Sequence, residues 1–195
     1  MLDKNLEIEF KALLTKEQYD SILELFKDVQ PYVQVNYYFD KRDGSLIANR
    51  NSLRVRFKNN SYEFTLKQPA EVGLNEYNEI IDEEKFEKLK NGIPFESSIL
   101  DILKKNGTTQ EELVPFYSLE TTRYDLPYKG GLLSLDSNIY LDVHDYELEY
   151  EAEDYDQGLE IYKELLGNYG IKYQGNVKGK RTRVQIRIQE LYGDH

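Results

Sequence analysis

The sequence predicts an α+β protein built on an eight-stranded antiparallel β-barrel, closed or nearly so, with helices packed outside it. Three observations lead there. Segments in which apolar and polar residues alternate at period two recur along the chain. Helical segments with recognisable caps interrupt them. On several of the strands the polar positions are charged, and on two of these they share one sign.

The first strand is Asn5 to Leu14 (NLEIEFKALL), and Thr15 with Gln18 makes a capping box that opens a helix to about Lys27. After Pro31 the run YVQVNYYFD is extended, and Arg42 to Asn51, with Asp43-Gly44, reads as turn-like or a short helical detour. SLRVRFK and SYEFTLKQ then flank Asn59-Asn60, two residues that tolerate the left-handed backbone of a two-residue hairpin turn, and Pro69 ends the second arm. NEYNEII (75–81) is the fifth strand, and Asp82 caps a helix running to about Asn91. Residues 97–114 look helical with a break at Asn106-Gly107. YSLETTRYDL (117–126) and LLSLDSNIYLDV (132–143) bracket the Lys129-Gly130-Gly131 turn, and DYELEYEAE (145–153) is the eighth strand. A helix near Gln157 to Asn168 and a basic tail complete the chain, with no internal repeat.

No Pro/Gly/Ser-rich linker divides the 195 residues, so residues 1–195 are expected to form a single domain. The amino terminus lacks a basic stretch followed by an apolar run, and no apolar segment is long enough to span a bilayer, so a cytoplasmic protein without a membrane partner is expected. Without cysteine, and with only His144 and His195 as imidazoles, any metal must be bound by oxygen. A net charge of −11 argues against nucleic acid as a partner, although the basic residues fall in short clusters that leave room for a local anion site.

In a strand, residues i and i+2 share a face and lie roughly 7 Å apart. Glu7, Glu9 and Lys11 therefore oppose Ile8, Phe10 and Ala12. Likewise Arg54, Arg56 and Lys58 oppose Leu53, Val55 and Phe57; Glu63, Thr65 and Lys67 oppose Phe64 and Leu66; and Glu147, Glu149 and Glu151 oppose Leu148 and Tyr150. Half-exposed strands whose charged face meets water give the same alternation. That account leaves the like-charge crowding on the third and eighth strands uncompensated. A barrel lumen compensates it, because carboxylates gather hard cations such as Mg²⁺ or Mn²⁺ while arginines and lysines gather phosphate oxygens. A substrate with several phosphates would bridge the two kinds of wall. Two ions would divide the work, one clamping phosphates and one acidifying a water for in-line attack.

Glu7-Ile8-Glu9-Phe10-Lys11 resembles the ExExK signature of the CYTH domain, the superfamily of triphosphate tunnel metalloenzymes that includes thiamine triphosphatases, inorganic triphosphatases and class IV adenylyl cyclases. The family's order continues with Leu53-Arg54-Val55-Arg56, Thr65-Leu66-Lys67, Glu76 and Glu79, Arg123, Leu135-Asp136, Glu147-Leu148-Glu149 and the tail motif Lys178-Gly179-Lys180. Size, acidity and the lack of Cys resemble its stand-alone bacterial members. The resemblance implies an eight-stranded tunnel with Mg²⁺ or Mn²⁺ held by Glu7, Glu9, Glu147 and Glu149, and with Asp136 and Glu79 near a second, water-activating ion. It implies phosphate contacts from Lys11, Arg54, Arg56, Lys67, Arg123 and Lys180, and a reacting centre of Glu79, Asp136, Glu149 and Lys11. Strand parity admits only one of Glu76 and Glu79 to the lumen, and Glu79 is preferred. His144 is expected at the surface, and Tyr37, Tyr38 and Phe39 in packing. The expected activity is metal-dependent hydrolysis of inorganic triphosphate or a small organic triphosphate. A class IV-type adenylyl cyclase, or a non-catalytic polyphosphate or nucleotide sensor, are the alternatives on the same scaffold, and the oligomeric state is open.

Overall fold

The computed structural model describes residues 3–71 and 73–193, with side chains from Glu7 onward. His195 lies outside the described residues. The strands are β1 (Asp3–Leu14), β2 (Tyr32–Lys41), β3 (Ser52–Lys58), β4 (Ser61–Pro69), β5 (Leu74–Ile81), β6 (Leu113–Tyr128), β7 (Gly131–Tyr140) and β8 (Val143–Ala152). The helices are α1 (Lys16–Leu23), α2 (Ser45–Ala48), α3 (Glu83–Lys90), α4 (Ser98–Lys105), α5 (Tyr155–Asn168) and α6 (Lys180–Tyr192). The eight strands close into a barrel in the order β1-β5-β4-β3-β2-β6-β7-β8. The chain divides into two compact units, one comprising Gln34–Leu119 and the residues up to Leu6, the other Glu7–Val33 with the chain from Glu120 onward.

In the first unit the β3–β4 hairpin turns through Asn59 (φ 50°) and Asn60 (φ 58°), both left-handed, as the sequence led us to expect. Leu53, Val55, Phe64 and Leu66 are fully buried against Phe86 and Leu89 of α3 and Ile99 and Leu103 of α4. Each such side chain stabilises the fold by about 1.5–3 kcal/mol. With helices on that side, the opposite face of the strands is the barrel interior, and it carries Arg54, Arg56, Lys67 and Glu76. Buried Asp40, at the end of β2, accepts hydrogen bonds from the amides of Lys41 (2.7 Å), Leu46 (3.0 Å) and Ile47 (3.3 Å) and so fixes the entry to α2.

In the second unit Phe10, Leu133, Leu135, Leu148 and Tyr150 pack under Tyr19 and Ile22 of α1 and Tyr162, Leu165 and Leu166 of α5. The Tyr162 hydroxyl donates to the Leu148 carbonyl at 2.6 Å, tying α5 to β8. The opposite face carries Glu9, Lys11, Arg123, Asp136, Glu147 and Glu149.

Two segments differ from expectation. The helix expected over 97–114 ends at Lys105; a short 3₁₀ turn at Gln110–Glu112, boxed by Thr109, leads into β6, which begins at Leu113 and runs for 16 residues. The basic tail is in part the helix α6. Its sequence hides the helix, because Arg183, Gln185 and Arg187 alternate with Val184, Ile186 and Ile188 at strand period and Gly179 supplies no side-chain cap.

Gly158 marks the closest approach of α5 to the sheet: a Cβ there would lie 2.5 Å from Ala152 Cβ and 2.8 Å from the Phe10 ring. Helix propensity alone favours Gly158→Ala by about 1 kcal/mol. The clash is expected to reverse that sign and destabilise the protein by about 1–3 kcal/mol, measured as a lower urea midpoint. An unchanged or higher midpoint would show that α5 has room to shift.

Candidate metal centre

On β7 and β8, Asp136 stands opposite Glu147, Ser134 opposite Glu149 and Asn138 opposite Asp145. Opposed residues share a face, so the acids of both strands point into the interior together. Among the described residues, Asp136, Glu147 and Glu149 form a group whose ligand oxygens lie within 4.8 Å of one another. The side chains of Asp136 and Glu147 are 0% exposed and that of Glu149 13%.

Four cations neutralise this cluster. Lys180, the first residue of α6, places Nζ 2.8 Å from Asp136, 2.6 Å from Glu147 and 2.7 Å from Glu149. Arg123 stands opposite Asp136 on β6 and donates to both its oxygens, through Nε at 2.7 Å and Nη2 at 2.6 Å, while Nη2 also reaches Glu149 at 2.5 Å. Arg183, one turn along α6, forks onto Glu147 at 3.2 and 3.0 Å and onto Asp145 at 3.0 and 3.2 Å. Lys11, opposite Glu149 on β1, donates to Glu9 at 2.6 Å and lies 3.9 Å from Glu149. Burial alone disfavours the charged forms of Lys180, Arg123 and Lys11, but the carboxylates beside them outweigh it and hold all three above their usual values. For Glu149 the same burial is overcome by Lys180, Arg123 and Lys11, which keep its carboxyl well below the ordinary range.

The interior face of the first unit is built alike. Lys67 and Glu76, opposed in β4 and β5, pair at 2.8 Å. Asn78 donates to Glu76 at 2.7 Å and accepts from the Thr65 hydroxyl at 2.8 Å. The β6–β7 hairpin repeats the arrangement, with Thr121 donating to Asn138 at 2.8 Å two residues from the Arg123–Asp136 pair. Arg56 donates to Asn36 at 3.3 Å and pairs with Glu63 at 3.4 Å, and Arg54 lies in register between Tyr38 and Thr65.

The preference for Glu79 is corrected. Glu79 stands opposite Phe64, on the helix side of the sheet, and accepts from the hydroxyl of Ser97, the residue that caps α4. Glu76 is the interior acid. Glu7 and Glu9 lie on the interior positions of β1 and are not part of the group of three; Glu9 pairs with Lys11. His144 is exposed on the outer face beside Tyr146 and Ser137, Tyr37 and Phe39 pack under α3, and buried Tyr38 stacks on Tyr117 at 4.9 Å, as expected. Sequence reasoning missed Arg183 and Asp145. The signal for Asp145 was present, since it extends the Glu147 parity by one step; Arg183 lies in the segment whose alternation hides its helix. Asp145 is further held by Asn138 at 3.0 Å and the Tyr140 hydroxyl at 2.8 Å.

Three converging carboxylates with no nitrogen or sulfur donor among them fit a hard divalent cation such as Mg²⁺ or Mn²⁺. Fold and site together define a class: a closed antiparallel barrel whose interior pairs clustered acids with clustered cations. The sequence profile of the CYTH domain family matches residues 5–191, and the chain belongs to that family. It is 34% identical over 184 residues to the Bacillus subtilis (strain 168) protein named "Putative triphosphatase YjbK", covering 93% of this chain and 95% of that one. A crystal structure of a "putative adenylate cyclase" from Bacillus halodurans superposes with a TM-score of 0.85 at 29% identity, over 92% of this chain and 97% of that one. A Hippeastrum protein, a "putative adenylyl cyclase" described as having a dominant triphosphatase activity, shares the fold with a TM-score of 0.75 at 22% identity, over 93% and 96% of the two chains.

Burial raises the pKa of Glu76, but Lys67 and Arg54, with the hydrogen bonds from Lys67 and Asn78, bring it down to about 2. A folded value below the unfolded one of about 4.5 means that the Glu76 carboxylate contributes stability that is complete above pH 4.5 and is lost as pH falls toward 2. Glu76→Gln is therefore expected to lower thermal stability at neutral pH and to flatten its acid limb between pH 4.5 and 2. An acid limb of unchanged steepness would refute the assignment.

Proposed function

We propose that this chain hydrolyses a triphosphate, inorganic or carried on a small organic group, on the interior face of its barrel, with Mg²⁺ or Mn²⁺ held by Asp136, Glu147 and Glu149. The carrying observation is the convergence of those three carboxylates beside Arg123 and Lys11. The 34% identity to a protein named as a triphosphatase supports the same activity. A divalent cation bound there would neutralise phosphate charge and acidify a water.

The chain's own groups do the rest. Glu149 is held ionised, so it serves as a ligand and not as a proton donor. Arg123, oriented by two bonds to Asp136, is preset to receive phosphate oxygens and to stabilise charge on the leaving phosphate. Lys11, Arg54, Arg56 and Lys67 bind the remaining phosphates, and Lys180 joins them. Glu7 and Glu9 are the candidates for a second ion. His144, on the outer face, takes no part. In this proposal residues 1–195 act as one domain in the cytoplasm, and the partner is a small molecule and neither nucleic acid nor membrane.

Purified protein incubated with tripolyphosphate, ATP or thiamine triphosphate under Mg²⁺ or Mn²⁺ is expected to release orthophosphate. Cyclic AMP and pyrophosphate from ATP, without orthophosphate from any substrate, would overturn hydrolysis in favour of cyclisation. Glu147→Gln is expected to lower kcat on the order of 10²–10³-fold. Arg56→Ala is expected mainly to raise KM, because it removes binding common to substrate and transition state. Full activity in the Glu147 variant would sink the metal assignment.

A further inference from the structure

Lys180 Nζ stands within 2.6–2.8 Å of one oxygen from each of the three acids that would ligate the metal ion. A divalent ion bound by the same three oxygens would occupy essentially the same point, so ammonium and ion exclude one another. The other cations of the cluster are differently anchored. Arg123 is locked in the plane of Asp136 by two bonds, with its strand neighbour in register. Arg183 is fixed on three sides, by Glu147, by Asp145 and by the Lys178 carbonyl at 2.8 Å. Lys11 is paired with Glu9 at 2.6 Å and stays 3.9 Å from Glu149. Lys180 is the ammonium that touches all three acids, on a flexible stem at the first residue of a helix whose N-cap, Gly179, makes no side-chain bond.

We propose that Lys180 is an exchangeable internal counter-ion: it occupies the carboxylate triad until a divalent ion displaces it, and so sets the apparent metal affinity, while Arg183 stays in place and keeps Glu147 oriented. This rests on the metal reading of Asp136, Glu147 and Glu149 given above. A site that accepts its ligand only when Lys180 has left binds more weakly by the fraction of time the lysine is away. Removing the ammonium removes that factor. Once displaced, the same ammonium can pair with phosphate oxygens, so a single residue serves the two charges in turn.

The test is calorimetric titration of the chelator-stripped full chain with Mn²⁺ alone, comparing wild type, Lys180→Met and Arg183→Met. Lys180→Met is expected to bind Mn²⁺ about tenfold or more tightly than wild type, and Arg183→Met to bind no more tightly than wild type. Equal affinity in wild type and Lys180→Met would overturn the exchange and leave the metal centre standing. Equal tightening in both variants would reduce the effect to lost positive charge and likewise overturn it. Absence of Mn²⁺ binding in all three proteins would remove the metal centre itself. Should Lys180→Met fail to fold, the wild type suffices: its side-chain ammonium spectrum, with ¹⁵N-labelled lysine, is expected to lose a solvent-protected signal on adding Mg²⁺. Persistence of every protected signal at saturating Mg²⁺ would refute the proposal.

Discussion

The constraint on which the second unit depends is the crowding of carboxylates on one face of β7 and β8. Strand period places Asp145, Glu147 and Glu149 roughly 7 Å apart along β8, and pairing sets Asp136 directly opposite Glu147. Two of these acids have side chains with no exposure at all. Buried charges left without partners cost several kcal/mol each, and breaking such a pair costs roughly 3–5 kcal/mol. The fold must therefore deliver cations to that face. β6 brings Arg123, β1 brings Lys11, and α6 returns to bring Lys180 and Arg183. α6 thus meets an electrostatic requirement of β7 and β8.

Giving the interior to charge leaves the apolar faces of the strands pointing outward, and this determines where the core lies. In each unit the core is a layer between sheet and helices. Tyrosine suits that layer, because its ring packs while its hydroxyl finds a polar partner at the edge. Tyr162 stacks on Tyr150 at 6.4 Å and on Phe10 at 6.0 Å and gives its hydroxyl to a strand carbonyl. In the other unit Tyr62 stacks on Phe86 at 4.9 Å. The sequence carries 17 tyrosines, and several of them serve this layer; Tyr38, in register with Arg54, stacks instead on Tyr117.

Most of this was legible because strand parity is a strict rule. Arg54 with Arg56, Lys67, and Glu147 with Glu149 each follow from alternation with buried Leu, Val and Phe, and the order of the motifs supplied the family. What failed were features that depend on register or on partners distant in sequence. Glu76 and Glu79 have opposite parity, and choosing between them needs the β4–β5 pairing, where Lys67 selects Glu76 and Phe64 faces Glu79. The helix α6 has strand-like alternation and no N-cap side chain; the carboxylates that receive Lys180 and Arg183 lie more than 30 residues earlier. Local propensity carries no trace of such a demand.

The charge pairing also constrains how a polyanion can bind. Lys11, Lys67, Arg56, Arg123, Lys180 and Arg183 each already have a carboxylate partner. A phosphate chain arriving alone would have to take cations from acids that remain buried, and the uncompensated carboxylates would cancel the gain. A phosphate chain arriving with divalent ions meets no such barrier, since the ions take the acids and the phosphates take the cations. Under the proposed function, binding on the interior face of the second unit is an exchange of partners. On the same proposal, metal and triphosphate are expected to be thermodynamically coupled, each tightening the other by the same factor, because neither can satisfy the groups the other leaves behind.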